Sequence, residues 1–555
     1  MVATEDLTIL HFNDVYHISD ATLVARFASV FTDPRHVTGE AAVPEHLLRI
    51  FSGDAFSPSL EASVLRGEHM PALLNSLNID VACYGNHDFD FGDDRLVQLS
   101  KQTIFPWTLA NAVRNPRSSG NDSLLAQAKE YVIQNVAGYR IGFFGLAGTY
   151  VILKYLYLGD WPSNCQHLPS CDILDPVTVS KCTARHLRQK ERCDLVIALT
   201  HMRLAEDIAV SQATADRDEK VDLLLGGHDH NVVRRAPGDD DIDANITQQG
   251  VPPSESAVTD YEGDVRIVKS GTDWRVRQVE NLKRMSNYNK IPECPRVLKI
   301  ISDIHSKIEK MVQRPLLMTD VPLEGRSQVV RSQEANLGNM LADAVREFYN
   351  TDIAVVNSGA IRCDRIIQAQ QNTPLRIRDV VDISPFDNAF VVKRISGRVL
   401  TEAFENSVSD AHMDGRFLQV SGLKVMADWS CREGQRVSAI TYLPRDGSSQ
   451  ALASDRMYTV AMIDFIASGF DGYSCFRDTE TLVDAEGAMT DTSLLLQIFD
   501  AAPSQQNDGG IVDSNTEGIQ RAKKAVIRRW HPITKLPVIG PSTEGRIQFI
   551  NRANL

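Results

Sequence analysis

The sequence predicts a layered α/β protein, and three observations carry that prediction. Short apolar strands alternate with helical stretches through the first half, the pattern of α/β layering. The segment "PECPRVLKIISDIHSKIEKMVQRPL" (292–316) has a 3.6-residue apolar period and reads as one helix connecting two regions. A second α/β region opens near residue 325, with a helix in "ANLGNMLADAVREFYN" and a strand and turn in "DIAVVNSGAIR". At about 150 residues per domain, a chain of 555 residues holds two to four domains.

Composition narrows the class. A hydrophobic fraction of 43% and a charged fraction of 23% are ordinary for a soluble globular protein. The net charge of -14 argues against nucleic acid or an anionic membrane as the main partner. A small anionic substrate stays open, because salt screens distant charge over about 10 Å and a local Arg cluster can outweigh it. The start, "MVATEDLTILHF", reads as a strand without a signal peptide. No run of about 18 apolar residues suggests a membrane span, and the end lacks a lipid-anchor tail. Nine scattered cysteines read as reduced thiols in a cytoplasmic protein. Two glycosylation-type triplets, at Asn121 and Asn245, weigh against that compartment. The stretches at 236–264 and 501–515 read as loops.

Along the chain, five apolar strands end in the same way. "LTILHFND" stops at Asp14 and "LLRIFSGD" at Asp54. "IDVACYGNHD" stops at Asn86, His87 and Asp88. "DLVIALTH" stops at His201, and "VDLLLGGHDH" at His228, Asp229 and His230. Sites in α/β sheets form beyond the carboxyl ends of strands. Side by side, these ends would gather three His, two Asp and one Asn, with His87 and Asp90 beside them.

Imidazole and carboxylate donors suit a pair of divalent ions such as zinc, manganese or iron. Two metals about 3.5–4 Å apart, bridged by a carboxylate, clamp an in-line displacement at phosphorus. A hydroxide between them is the nucleophile, and a nearby His, oriented by a carboxylate, serves the leaving oxygen. Each piece alone has a plainer reading. "GD" after a strand is usually a turn, a lone His201 a hydrogen-bonded rim residue, and "GHDH" an exposed turn. All five together, in order and each after a strand, leave little room for coincidence.

The series "FNDVYH", "SGD", "GNHDFD", "ALTH" and "GGHDH" resembles the calcineurin-like metallophosphoesterases, and "NSGAIR" narrows the resemblance to the 5'-nucleotidase family. It covers about residues 7 to 480. The resemblance implies a metallophosphoesterase β-sandwich flanked by helices over 1–290, a connecting helix over 291–320, and an α/β substrate-binding domain over 321–555 that includes a C-terminal extension. It implies that Asp14, Asp54 and His230 hold one metal, that Asp54 bridges, and that Asn86, His201 and His228 hold a second. His87 would stabilise the transition state and act as acid, with Asp90 orienting it. Arg331, Asn357 and Arg362 would bind phosphate, Phe386 and Phe465 would sandwich a nucleobase, and Asp471 would bind ribose. The planar fork of Arg suits phosphate, and aromatic faces stack a base with little sequence preference. Core packing is the plainer reading of the two Phe; surface or capping charges are that of the two Arg.

The implied reaction is hydrolysis of a nucleoside 5'-monophosphate to nucleoside and phosphate, with the second domain swinging about 292–316 to deliver substrate. Cyclic nucleotides or nucleotide sugars are the alternatives within that chemistry. A metal-dependent nuclease lacks a basic stripe. Three departures from the family pattern stand out. Tyr16 occupies the slot of a His ligand, and the neighbouring His17 should point the other way on an extended segment. "NSGAIR" replaces a more glycine-rich loop, and "GFDG" brings Phe470 where the family has Gly. Tyr16 also keeps open a nucleotide-binding module with a degraded first metal site.

Overall fold

The computed structural model describes residues 7–38, 42–114, 124–149, 171–215, 217–230, 232–235, 266–274, 291–369, 373–485, 487–500 and 514–550. The stretch 236–264, both glycosylation-type triplets and most of 501–515 lie outside them. Two compact units divide the chain, Met1–Ile308 and Glu309–Leu555.

The predicted 292–316 helix is shorter than its periodicity suggests. It spans Pro295–Met311, buries Val297, Ile301 and Ile304 on one stripe, and is followed by a strand at Pro315–Thr319. Pro315 has no N–H for a helix and biases Arg314 away from helical backbone, so the chain leaves the helix there.

In the first unit, Thr8–Phe12, Leu47–Ser52, Val81–Cys83 and Trp107–Thr108 form an all-parallel four-stranded sheet. A second sheet has the order Val232–Arg235, Ile267–Ser270, Leu223–Gly226, Leu195–His201, Tyr139–Ala147, Val132–Val136. Its four central strands are parallel and its two edge strands antiparallel. The sheets pack face to face, with Leu47–Ser52 against Leu195–His201 and Trp107–Thr108 against Tyr139–Ala147. A side chain at Gly145 would meet the Thr108 carbonyl oxygen at 2.4 Å, so backbone touches backbone there. The outer face of the larger sheet buries Phe144, Val196 and Leu224 against Ala184 and Leu187 of the helix Pro176–Gln189. Covered on both faces, these strands read as continuous apolar runs rather than alternating ones.

The second unit centres on a five-stranded sheet in the order Leu418–Ser421, Ile353–Asn357, Met457–Ile463, Phe390–Ser396, Glu480–Val483. Ile353–Asn357 and Met457–Ile463 are parallel neighbours, so their carboxyl ends point the same way. The helix Asn336–Tyr349 packs on this sheet, and Ser514–Val526 packs on that helix. The C-terminal extension is woven into the unit. Ile527–Trp530 and Pro537–Ile539 form a hairpin whose second strand runs parallel to Pro315–Thr319. Ile547–Ile550 pairs with Leu423–Asp428. Arg546 anchors the segment with hydrogen bonds of 2.8 and 2.9 Å to the Asp343 carboxylate and 2.8 Å to the Val420 carbonyl.

Candidate functional site

The strand ends of the two sheets in the first unit converge. Only His201 lies within its strand; the other predicted residues sit just beyond, on loops that must turn sharply. Asp14, Asp54, His228 and His230 all have positive φ, at 53°, 63°, 80° and 57°. Non-glycine residues in that region cost on the order of 1–3 kcal/mol each, a strain that clusters at functional sites. Glycines make the room. A Cβ on Gly85 would lie 2.1 Å from Asp54 Oδ1, and one on Gly227 would lie 2.8 Å from Asp14 Oδ2.

The predicted donors do come together. Donor atoms of Asp14, Asp54 and His201, all buried, lie within 4.8 Å of one another. His201 Nδ1 is 2.8 Å from the Ser52 carbonyl oxygen, which it reaches only as a donor, and this turns Nε2 toward the carboxylates. Nε2 stands 3.1 Å from Asp54 Oδ2 and 3.9 Å from Asp14 Oδ1. His230 Nε2 is 3.3 Å from Asp14 Oδ1. Asn86 Oδ1 and His228 Nδ1 are 3.1 Å apart, and the His228 amide donates to Asp14 Oδ2 at 3.0 Å.

The electrostatics mark a place for positive charge. Burial lowers His201, but the charges of Asp54 and Asp14 outweigh it and raise it to about 10. Burial pushes Asp14 up, yet His201, His230 and Asn13 outweigh it and hold the carboxyl well below the usual range. A hard donor set of carboxylate, imidazole and amide groups in a cradle open only because glycine lines it fits a divalent ion.

His87 sits beside this cluster. Its amide donates to Asp54 Oδ1 at 2.9 Å, and its Nδ1 lies 3.0 Å from Asp90 Oδ2. Tyr16 lies among these donors. Its hydroxyl is 2.9 Å from Asp14 Oδ1, 3.3 Å from Asp54 Oδ2 and 2.8 Å from His230 Nε2. His17 is exposed, and its carbonyl accepts from Trp274 Nε1 at 2.7 Å.

Four supporting residues carried no assignment in the sequence. Asp88 accepts backbone N–H bonds from Asp54 (3.1 Å), Ala55 (2.8 Å), Phe56 (3.1 Å) and Gly85 (2.8 Å), tying two ligand loops together. Burial and the Asp54 charge still raise it to about 6. Its place in "GNHD" was the available signal. Asn13, next to Asp14, staples the sheets by donating to the Gly271 carbonyl at 2.6 Å and accepting from the Ser270 amide at 2.9 Å. His11, lowered to about 3 by burial, bridges Ser270 Oγ and Ser52 Oγ at 2.7 and 3.0 Å. Buried Lys269 donates to the carbonyls of Met202 (2.7 Å) and Gly227 (2.8 Å) and pairs with Asp207 (2.8 Å) and Asp229. It braces the turn that carries His228 and His230. For these last three, a strand position gives no hint of a role.

In the second unit, the parallel strands Ile353–Asn357 and Met457–Ile463 bring the other predicted residues to one end of the sheet. Asn357 closes its strand; its buried Oδ1 has no hydrogen-bond partner among the described residues. The Arg362 guanidinium lies over the Phe386 ring, 4.8 Å from its centroid. Arg331 donates to the Met413 carbonyl at 2.9 Å. Burial and the Asp414 charge raise the Asp471 carboxyl, against the pull of Arg416, Arg331 and Arg362. Phe386 and Phe465 are 53% and 42% exposed, which removes core packing as their role. Phe470, 57% exposed, stacks on Phe465 with centroids 4.9 Å apart and planes at 15°. That stack was not foreseen; the sequence showed only that Phe470 replaces a smaller residue.

Two α/β units, one a sheet sandwich with metal-type donors at its strand ends, define a two-domain metallophosphoesterase fold. Residues 316–478 match the family model described as 5'-nucleotidase, C-terminal domain. Human 5'-nucleotidase is 26% identical over 597 residues, covering 98% of this chain and 91% of its own. The trifunctional nucleotide phosphoesterase protein YfkN of Bacillus subtilis is 25% identical over 511 residues, covering 85% of this chain but 32% of the longer relative. This chain thus spans about a third of that protein. The solved Haemophilus influenzae NAD nucleotidase (NadN) shares the fold, with a TM-score of 0.66 at 16% identity over 98% of each chain. Residues 316–478 thus carry the 5'-nucleotidase C-terminal domain, and similarity to proteins named 5'-nucleotidase extends over nearly the whole chain.

Proposed function

We propose that this protein is a metal-dependent hydrolase that cleaves a nucleoside 5'-monophosphate to nucleoside and phosphate. The observation that carries the reading is the convergence of Asp14, Asp54, Asn86, His201, His228 and His230 at neighbouring strand ends, with His87 and Asp90 beside them. Asp14, Asp54 and His230 would hold one divalent ion and Asn86, His201 and His228 a second, with Asp54 between them. Bound ions would supply Lewis-acid polarisation of the phosphoryl group and an activated water.

The chain's own groups do the rest. Asp90 holds His87 by Nδ1, which presents the opposite ring nitrogen to the leaving oxygen. Arg331 and Arg362 carry the charge for phosphate, with Asn357 beside them. Phe386 and Phe465 offer faces for a base, and Asp471 accepts ribose hydroxyls. The relatives named as nucleotidases support the substrate class.

The direct test is phosphate release from a panel of nucleoside mono-, di- and cyclic phosphates with manganese, zinc, cobalt or magnesium. Release from the monophosphates, abolished in His87→Ala, is the expected result. Release from none, by folded protein loaded with any of these metals, would sink the reading. The Tyr16 hydroxyl within the first-site donors favours a second reading, a nucleotide-binding module that holds one metal or none; two metals per chain would exclude it.

A further inference from the structure

We infer that Tyr16 is itself a metal ligand, and that its phenolate turns the first site toward a hard, strongly Lewis-acidic cation of the ferric type. The inference rests on the metal-dependent reading above and concerns a residue that reading leaves unused.

The geometry is specific. The phenolic oxygen lies 2.8–2.9 Å from His230 Nε2 and Asp14 Oδ1 and 3.3 Å from Asp54 Oδ2. Those three residues are the same ones whose donors face the first site. Tyr16 is buried, 6% exposed, so its hydroxyl is not reaching for solvent. A hydroxyl has one proton to give. Here it stands among two carboxylate oxygens and an imidazole nitrogen, so its oxygen faces the same space as the donors of Asp14, Asp54 and His230 and can join them around one cation. On coordination the O–H bond is exchanged for an oxygen–metal bond, and the proton leaves to solvent.

The chemistry then sets the preference. Replacing an imidazole with a phenolate adds one negative charge and a hard oxygen donor. The set becomes two carboxylates, one of them shared with the second site, one phenolate and one imidazole, and the added negative charge favours a trivalent over a divalent ion. Ligand type and geometry, rather than raw affinity, decide which metal a site selects. His17 is exposed, whereas Tyr16 is buried among the donors.

The test uses the full chain, stripped and reloaded with ferric iron, zinc or manganese, with metal per chain and visible absorbance as readouts and circular dichroism as a check on folding. Iron-loaded wild type is expected to show a visible phenolate-to-iron charge-transfer band. Tyr16→Phe should lose the band and bind one metal fewer per chain. Tyr16→His should recover the metal without the colour, and His17→Ala should keep both. An iron-loaded wild type without the band, or Tyr16→Phe with unchanged band and metal count, would overturn the inference and leave the hydrolase reading standing. A wild type that binds no metal at all would overturn both.

Discussion

The Nδ1 of His87 stands 3.0 Å from Asp90 Oδ2, and that same oxygen accepts a hydrogen bond from Ser57 Oγ at 2.7 Å. The His ring is therefore held through two links. His87→Ala is expected to lower kcat for phosphate release by about 10²–10⁴-fold. Asp90→Asn removes the anion that fixes the tautomer, and a loss of about 10–100-fold is expected. Measured at equal metal content, both should leave KM within a few-fold. A large rise in KM with unchanged kcat would assign the pair to binding.

Gly85 stands against Asp54 with no space for a methyl group. Gly85→Ala should displace the carboxylate and cut metal affinity by at least about tenfold, read by metal titration. Gly138→Ala is the control. It has a positive φ of 75°, and nothing lies within 4 Å of the added carbon. It should cost about 1–2 kcal/mol of stability and no metal.

Lys269 is charged and fully buried between two acids. Burial opposes that charge, and Asp207 and Asp229 outweigh it. Lys269→Met leaves both acids without their cation, and a loss of about 3–5 kcal/mol is expected from denaturant unfolding. Lys269→Met with Asp207→Asn should recover part of it.

Asp491 gives the second unit a pH dependence. Burial and the charge of Asp387 raise it to about 8, despite hydrogen bonds from Asn388 and Thr492. The folded state thus keeps a proton that the unfolded chain releases near pH 4. Its contribution to stability is present at low pH and is lost as pH rises through that window to about 8. The slope is at most about 1.4 kcal/mol per pH unit. Asp491→Asn should flatten the fall in Tm between pH 5 and 8. An unchanged slope would show that other groups govern it.

Phe386 carries the Arg362 guanidinium on its ring, and Phe465 carries Phe470. Stacking on an aromatic face contributes about 1–3 kcal/mol per base. Phe386→Ala and Phe465→Ala should therefore raise KM for nucleotides about tenfold or more with kcat little changed. Phe470→Gly should alter the ranking of bases in the same assay.

Much of the first unit was legible in the sequence because its chemistry recurs at fixed places. An apolar run followed by Asp, Asn or His needs only the strand to be recognised. The same local reading failed where partners are distant in sequence. Lys269 meets Asp207 and Asp229 only after the sheet has formed, and His11 meets Ser270 across two sheets. The helix at 295–311 was overextended because its apolar period continues into residues that pair as a strand. The strands of the last forty residues were illegible because short, Pro-rich segments carry little periodicity; their partners at 315–319 and 423–428 supply the order.

That late pairing has a consequence for how the protein is made. Residues 537–550 supply strands that pair with Pro315–Thr319 and Leu423–Asp428, both synthesised long before. Translation proceeds at about 5–20 residues per second, and domains close as their chain emerges. All the described strands of the first unit lie before residue 271. The second must wait with two open sheet edges until the final stretch is released. A chain truncated before residue 537 would therefore have a complete first unit and a second unit with exposed, association-prone strand edges.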